Sequence, residues 1–270
     1  MTRAIKFKKK GEETDAEVME RIGTRFQILE DMTKAAIRGD IRAMIVQGPP
    51  GVGKSFGVEQ QLEKASLLDT VASRPKPYDI VKGAMSAIGL YCKLYQYANK
   101  DNILIFDDCD SVLQDELSLN ILKAALDSKR KRRICWNTDS YKLRNEHVPD
   151  MFYFEGSAIF ITNIKFSNIK SKKLKDHLSA ISSRCHYVDL TLDTMRDRLL
   201  RIKQIAGTGA LFANYEDLTQ KNQQQIIDFM EDNQDKLQEV SLRMALKIAD
   251  LFKVSETNWE QLALATCVKR

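Results

Sequence analysis

A chain of 270 residues, 43% of them hydrophobic, can bury the core of one domain of moderate size or of a domain with a small appendage. Its 42 basic and 37 acidic residues leave a net charge of +5, a bias that points to polyanion contact only where basic residues bunch. Cysteines 92, 109, 135, 185 and 267 show neither C-x-x-C pairing nor histidines at ligand spacing, and no apolar run nears the roughly 18 residues that span a bilayer; a disulfide framework, a zinc site and a membrane span are excluded in favour of a soluble, cytoplasmic protein.

Residues 1–15 read as a flexible basic and polar tail that includes the run Lys6 to Lys10, and its start, MTRAIKFKKK, leads into GEETD rather than an apolar signal core. A helix is expected over 16–38, with Val18, Ile22, Phe26, Leu29, Met32 and Ala36 on one face and Gly39 ending it. The apolar run Ala43 to Val46 reads as a buried strand, and GPPGVGKS at 48–55 follows it directly. Gly48, Gly53, Lys54 and Ser55 satisfy G-x-x-x-x-G-K-[ST], in which backbone N–H groups wrap phosphates, a lysine reaches the outer phosphates and a hydroxyl holds magnesium. Helix formers from Lys54 to Ala65 supply the N-terminal dipole and free donors that such a loop requires. Gly48, Pro49, Pro50, Gly51, Val52, Gly53, Lys54, Ser55 and Phe56 are therefore the candidate nucleotide-binding residues, with ATP and Mg²⁺ as the expected ligands.

Prolines in RPKPYD break the chain before a short strand near Tyr78 to Val81, and a helix is expected over 86–99. NILIFDDCD is a buried strand ending in acid, followed by a helix over 112–128. Asp107 would hold magnesium through water at the carboxyl edge of the sheet, Asp108 would position the attacking water, and Asp110 fits a helix cap. RRICW and MFYFE, separated by a polar turn region, are strand-like runs that could form a hairpin. SAIFITN is a further strand, 171–182 a helix and HYVDL a last strand, after which helices are expected near 193–206, 220–237, 241–252 and 257–268. Strands alternating with helices argue for an α/β fold, a parallel sheet sandwiched by helices, over 16–190, and the helices of 191–270 for a second, all-helical domain.

The combination resembles the AAA+ ATPases, ring-forming P-loop enzymes, over about residue 20 to 270. GPPGVGKS looks like their Walker A motif and ILIFDD like Walker B, except that the second Walker B acid is usually glutamate and here is Asp108. One methylene less brings the water closer or weakens the base, which leaves slow hydrolysis or a nucleotide-driven assembly switch as alternatives. The resemblance implies that Asn163, ending IFITN, orients the attacking water and that Arg243 in SLRMALKIADL is a lid cation directed at the γ-phosphate. It also implies that Arg184 in Ser183-Arg184-Cys185 is an arginine finger offered to a neighbouring subunit, as in clamp loaders; the alternative for Arg184 is a helix-end arginine favoured by the dipole.

A finger in trans implies a homo-oligomeric ring, and such a finger is worth on the order of 10³ to 10⁵ in rate. Central loops would then grip a substrate, one at VKGAMSA, where Met85 is the bulky apolar residue, and one at DSKRKRR. The second loop, with Lys129, Arg130, Lys131, Arg132 and Arg133, suits a phosphate backbone and points to DNA. A remodeller whose protein partner binds the RRICW to MFYFE insertion is the alternative. The general resemblance is to small stand-alone members such as bacteriophages encode.

Overall fold

The computed structural model describes residues 13–67, 71–72 and 75–269. The expected basic run Lys6 to Lys10 lies outside them. Two compact units are formed: Phe26–Gly48 with Lys54–Thr191, and Pro49–Gly53 with the chain from Leu192 onward and the segment ending at Arg25.

Helix α1 (Asp15–Ile37) starts with a reciprocal cap, in which Glu17 N–H donates to Thr14 Oγ1 and Thr14 N–H donates to Glu17 Oε2. Its buried stripe runs Val18, Ile22, Phe26, Leu29, Thr33 and Ala36, so Thr33 takes the inward place expected of Met32. The Thr33 hydroxyl is satisfied by donating to the Leu29 carbonyl at 2.7 Å, which makes its burial inexpensive.

The first unit contains β1 (Ala43–Gln47), α2 (Lys54–Ala65), β2 (Tyr78–Lys82), α3 (Ala87–Gln96) and β3 (Ile103–Asp107). It continues with α4 (Ser111–Gln114), α5 (Glu116–Ala125), β4 (Arg133–Cys135), α6 (Tyr141–Asn145) and β5 (Met151–Tyr153), then β6 (Ser157–Thr162), α7 (Lys172–Ser182) and β7 (His186–Asp189). Five strands pair in parallel in the order β2-β3-β6-β1-β7. The central strands β1, β3 and β6 are buried along their whole length, which their continuous apolar runs require, and Phe106 stacks on its register partner Phe160 at 5.0 Å. The sheet therefore has the parallel α/β architecture expected, and its charged strand ends collect at one edge.

The helix expected over 112–128 is broken at Asp115. That residue is extended (φ −94°, ψ 125°) and its carboxylate accepts from Ser118 N–H and Oγ, so it ends α4 and caps α5. Asp110, expected to cap, makes no side-chain cap bond and instead accepts from Thr162 Oγ1 at 2.6 Å. RRICW and MFYFE do pair, as the antiparallel ribbon β4-β5, with α6 inserted between the strands. Ile134 and Phe152 point inward; Arg133, Met151 and Tyr153 are exposed.

The second unit carries α8 (Met195–Gly207), α9 (Gln220–Asp232), α10 (Leu242–Val254) and α11 (Trp259–Thr266). Its core gathers Ile202, Ile226, Met230, Ile248 and Ala263 around Trp259, whose ring meets Phe229 and Phe252 at 5.3 Å each. Thr219 and Asn222 cap α9 reciprocally, and Ser241 caps α10 through Met244 N–H. No helix among the described residues is long and apolar enough to cross a membrane.

Candidate nucleotide site

Parallel strands deliver their carboxyl ends to one edge, where β3 ends in Asp107 and Gly48 and Asn163 directly follow β1 and β6. Helix α2 begins at Lys54, which brings the N–H groups of its first turn, not paired within an α-helix, to the same edge. Lys54 is 6% exposed; its Nζ donates to the Gly48 carbonyl at 2.8 Å and to Asn163 Oδ1 at 2.7 Å. Asn163 Nδ2 donates in turn to Asp108 Oδ1 at 2.8 Å. One amide thus joins the cation to the exposed carboxylate.

Ser55 Oγ donates to Asp107 Oδ1 at 2.8 Å, and Asp107 is buried. The hydroxyl and carboxylate oxygens form a hard, oxygen-only donor pair of the kind Mg²⁺ takes together with water and phosphate oxygens. The residues present therefore fit a magnesium ion and a polyphosphate. Asp108 has φ of +50°, in the left-handed region where aspartate and asparagine are enriched over longer side chains. This backbone gives a physical reason for Asp108 in place of the glutamate of the resemblance.

The glycine loop is shaped by two positive-φ glycines, Gly51 (+71°) and Gly53 (+97°), a conformation that directs successive N–H groups to one side. In the second unit the Gly51 carbonyl accepts from Leu242 N–H at 2.9 Å, and a Cβ on Gly51 would stand 2.7 Å from Ser241 Cβ. The start of α10 is thereby fixed on the loop one residue before Arg243, which is exposed. Val52 is buried, whereas Phe56 on α2 is 51% exposed.

Arg184 is half-buried at the end of α7, and its guanidinium donates to the Ala180 carbonyl of its own last turn at 2.5 Å. That is the helix-end contact given above as the alternative. Met85 is half-buried against the core of the first unit, and its backbone exchanges hydrogen bonds with the Ser111 hydroxyl. It is not a projecting grip.

The basic loop divides. Lys129, Arg130, Lys131 and Arg133 are exposed, but Arg132 is 6% exposed, donates to the carbonyls of Ala125 (3.1 Å) and Gly156 (2.9 Å), and lies 5.1 Å from the Phe154 ring centre. Burial, with Arg42 adding to it, lowers its pKa to about 10. Arg132 is a structural arginine, and the expectation that it contacts DNA is corrected accordingly.

Two residues at this edge escaped the motifs. Lys82 ends β2 in register with Asp107; its Nζ lies 3.4 Å from Asp107 Oδ2 and 2.7 Å from Glu59 Oε1 on α2. The available signal was the run YDIVK, which ends in charge at the same sheet edge as ILIFD, with Glu59 one helical turn after Ser55.

No family model matches the chain. The solved structure of C. elegans PCH-2 is similar with a TM-score of 0.38 and 12% identity, over 93% of this chain and 66% of that one, so the chain spans just under two thirds of its length. An uncharacterized 36.7 kDa protein of Enterobacteria phage T4, from the nrdC-mobD intergenic region, is 32% identical over 245 residues, 90% of this chain and 73% of the phage protein. At that identity and coverage, the chain belongs to the family of this phage T4 protein.

Proposed function

We propose that the protein is an Mg²⁺-dependent ATPase of the AAA+ type, active as a homo-oligomeric ring on nucleic acid. The observation that carries the reading is the convergence of Lys54, Asn163 and Asp108 in one hydrogen-bonded chain beside the Ser55 and Asp107 pair, at the end of a glycine loop. Residues 16–190 are read as the nucleotide-binding domain and 191–270 as its lid. Magnesium supplies neutralisation of phosphate charge when bound, with Ser55 and Asp107 as its holders. Lys54 binds the outer phosphates, Asn163 and Asp108 orient the attacking water, and Arg243 and a neighbour's Arg184 add positive charge where it develops in the transition state. To act as a finger, Arg184 must exchange the Ala180 carbonyl for the neighbour's phosphate.

The nucleic-acid role rests on the exposed cations Lys129, Arg130, Lys131 and Arg133. Exposed Met151 and Tyr153 on the β4-β5 ribbon favour the second reading, a protein partner at that ribbon.

The test is steady-state ATP hydrolysis against protein concentration, with and without single-stranded and duplex DNA, in wild type and Arg184→Ala. Activity that rises steeply with concentration, responds to DNA and is lost in the variant supports the ring motor. Flat activity, indifferent to DNA and to the substitution, overturns both the shared site and the nucleic-acid role. Ring formation without turnover would leave a nucleotide-switched assembly module.

A further inference from the structure

We propose that Lys82 is a built-in counter-cation of the magnesium position, balanced by Glu59, and that the pair sets how much Mg²⁺ the site needs to hold a nucleotide. The proposal rests on the nucleotide-site reading given above. Asp107 divides its two oxygens: Oδ1 accepts from the Ser55 hydroxyl at 2.8 Å and Oδ2 faces the Lys82 ammonium at 3.4 Å. Lys82 is held there twice over, by the register of β2 on β3 and by its 2.7 Å bond to Glu59. Asp107 itself is buried, so the ammonium balances its charge from the carboxyl edge of the sheet.

A divalent ion held by Ser55 and Asp107 must share this carboxylate with a positive charge already present. Like charges repel and the carboxylate of Glu59 attracts, so the two members of the pair act on the metal with opposite sign. Both side chains reach solvent, with Lys82 at 59% and Glu59 at 32% exposure, so screening keeps each effect modest and strongest at low salt. This opposition separates an electrostatic role from a structural one. If the bridge only braced α2 against the sheet, removing either partner would have the same consequence.

The experiment is calorimetric binding of ATP to the full chain at a series of MgCl₂ concentrations and in EDTA, at low ionic strength, for wild type, Lys82→Met, Glu59→Gln and the double variant. Lys82→Met is expected to lower the half-saturating Mg²⁺ concentration about threefold or more, and Glu59→Gln to raise it by a similar factor. The double variant should return close to wild type. If Lys82→Met fails to fold, Lys82→Gln takes its place, so that both signs are still read. Wild-type binding of Mg·ATP with shifts of the same sign, or none, in both single variants overturns the role of Lys82. Failure of wild type to bind ATP with or without Mg²⁺ overturns the nucleotide site, and the present proposal with it.

Discussion

Lys54 Nζ stands 2.7 Å from Asn163 Oδ1 while Nδ2 of the same amide donates to Asp108 at 2.8 Å, so one side chain serves a cation and an anion with the correct end toward each. Alanine at 163 removes both contacts without touching the glycine loop. We expect Asn163→Ala to reduce ATP hydrolysis on the order of 10²-fold, by analogy with removal of one preorganised donor, and to leave the ATP dissociation constant within about threefold. Single-turnover hydrolysis beside equilibrium binding checks the split. An equal loss in both would mean that Asn163 serves binding rather than the chemical step.

Asp108 occupies a left-handed backbone position, φ +50°. Asparagine tolerates that conformation as well as aspartate does but cannot act as a base. Asp108→Asn should therefore melt within a degree or two of wild type, bind ATP and lose hydrolysis by about 10² or more. Glutamate is less at home with positive φ, so Asp108→Glu is not expected to accelerate turnover. A faster Asp108→Glu enzyme would show that side-chain reach, not backbone shape, limits the site.

Two arginines two residues apart should behave oppositely. Arg132→Ala strands the carbonyls of Ala125 and Gly156 and removes a buried side chain from the Phe154 ring, for a loss of about 2 to 4 kcal/mol in denaturant unfolding. Arg130→Ala, on the exposed part of the loop, should change stability by less than about 0.5 kcal/mol. If the loop contacts DNA, Arg130→Ala should instead flatten the salt dependence of binding, by a slope of about 0.9 for one phosphate contact.

Gly51 has φ of +71°, and a Cβ there would stand 2.7 Å from Ser241 Cβ. Gly51→Ala combines left-handed strain with a clash between well-fixed atoms. It is expected to cost about 1 to 3 kcal/mol and to weaken ATP binding at least tenfold, since the loop must shift to accept it. Thermal melts and calorimetry on the same preparation report the two effects.

Stability should decline in alkali. Burial is the leading cause that raises the pKa of Tyr91 to about 12, Cys92 to about 11, Cys185 to about 12 and Tyr215 to about 12. The ordinary values are 9.0 for the thiols and 10.0 for the phenols, so the unfolded chain releases these protons first and the folded chain holds more of them. The contribution of these groups is complete below pH 9 and is lost as pH rises through the folded-state values. Urea midpoints at pH 9, 10 and 11 should fall in that order. The same shifts keep Cys92 and Cys185 protonated at pH 8, where both should react slowly with a thiol reagent.

The sheet and the glycine loop were readable because each follows from local pattern: unbroken apolar runs for β1, β3 and β6, and glycines with a lysine where the chain turns into α2. What local pattern leaves open is partner choice. Arg132 and Arg130 sit in one uninterrupted basic run, and only the fold, which brings Gly156 and Phe154 beside one of them, separates a buried brace from a surface cation. Lys82 was silent for a similar reason. Its meaning depends on the register of β2 on β3 and on the closeness of Glu59 on α2, neither of which is a spacing along the chain. Thr33 replaced Met32 in the buried stripe of α1 because a hydroxyl bonded to its own helix loses most of its polarity, a possibility that a hydrophobic pattern does not count.

The bond from Leu242 N–H to the Gly51 carbonyl joins positions far apart in the chain, and so constrains the order in which a newly made molecule matures. During synthesis the glycine loop leaves the ribosome early, and β6 and β7, which flank β1, follow much later. The carbonyl of Gly51 must then wait for Ser241 and Leu242. Long-range closures of this kind form late because the intervening chain has to be ordered first. A nascent chain released short of α10 would carry every residue of the glycine loop and lack the contact that holds Gly51, so the loop takes its final shape only after Ser241 and Leu242 have been translated.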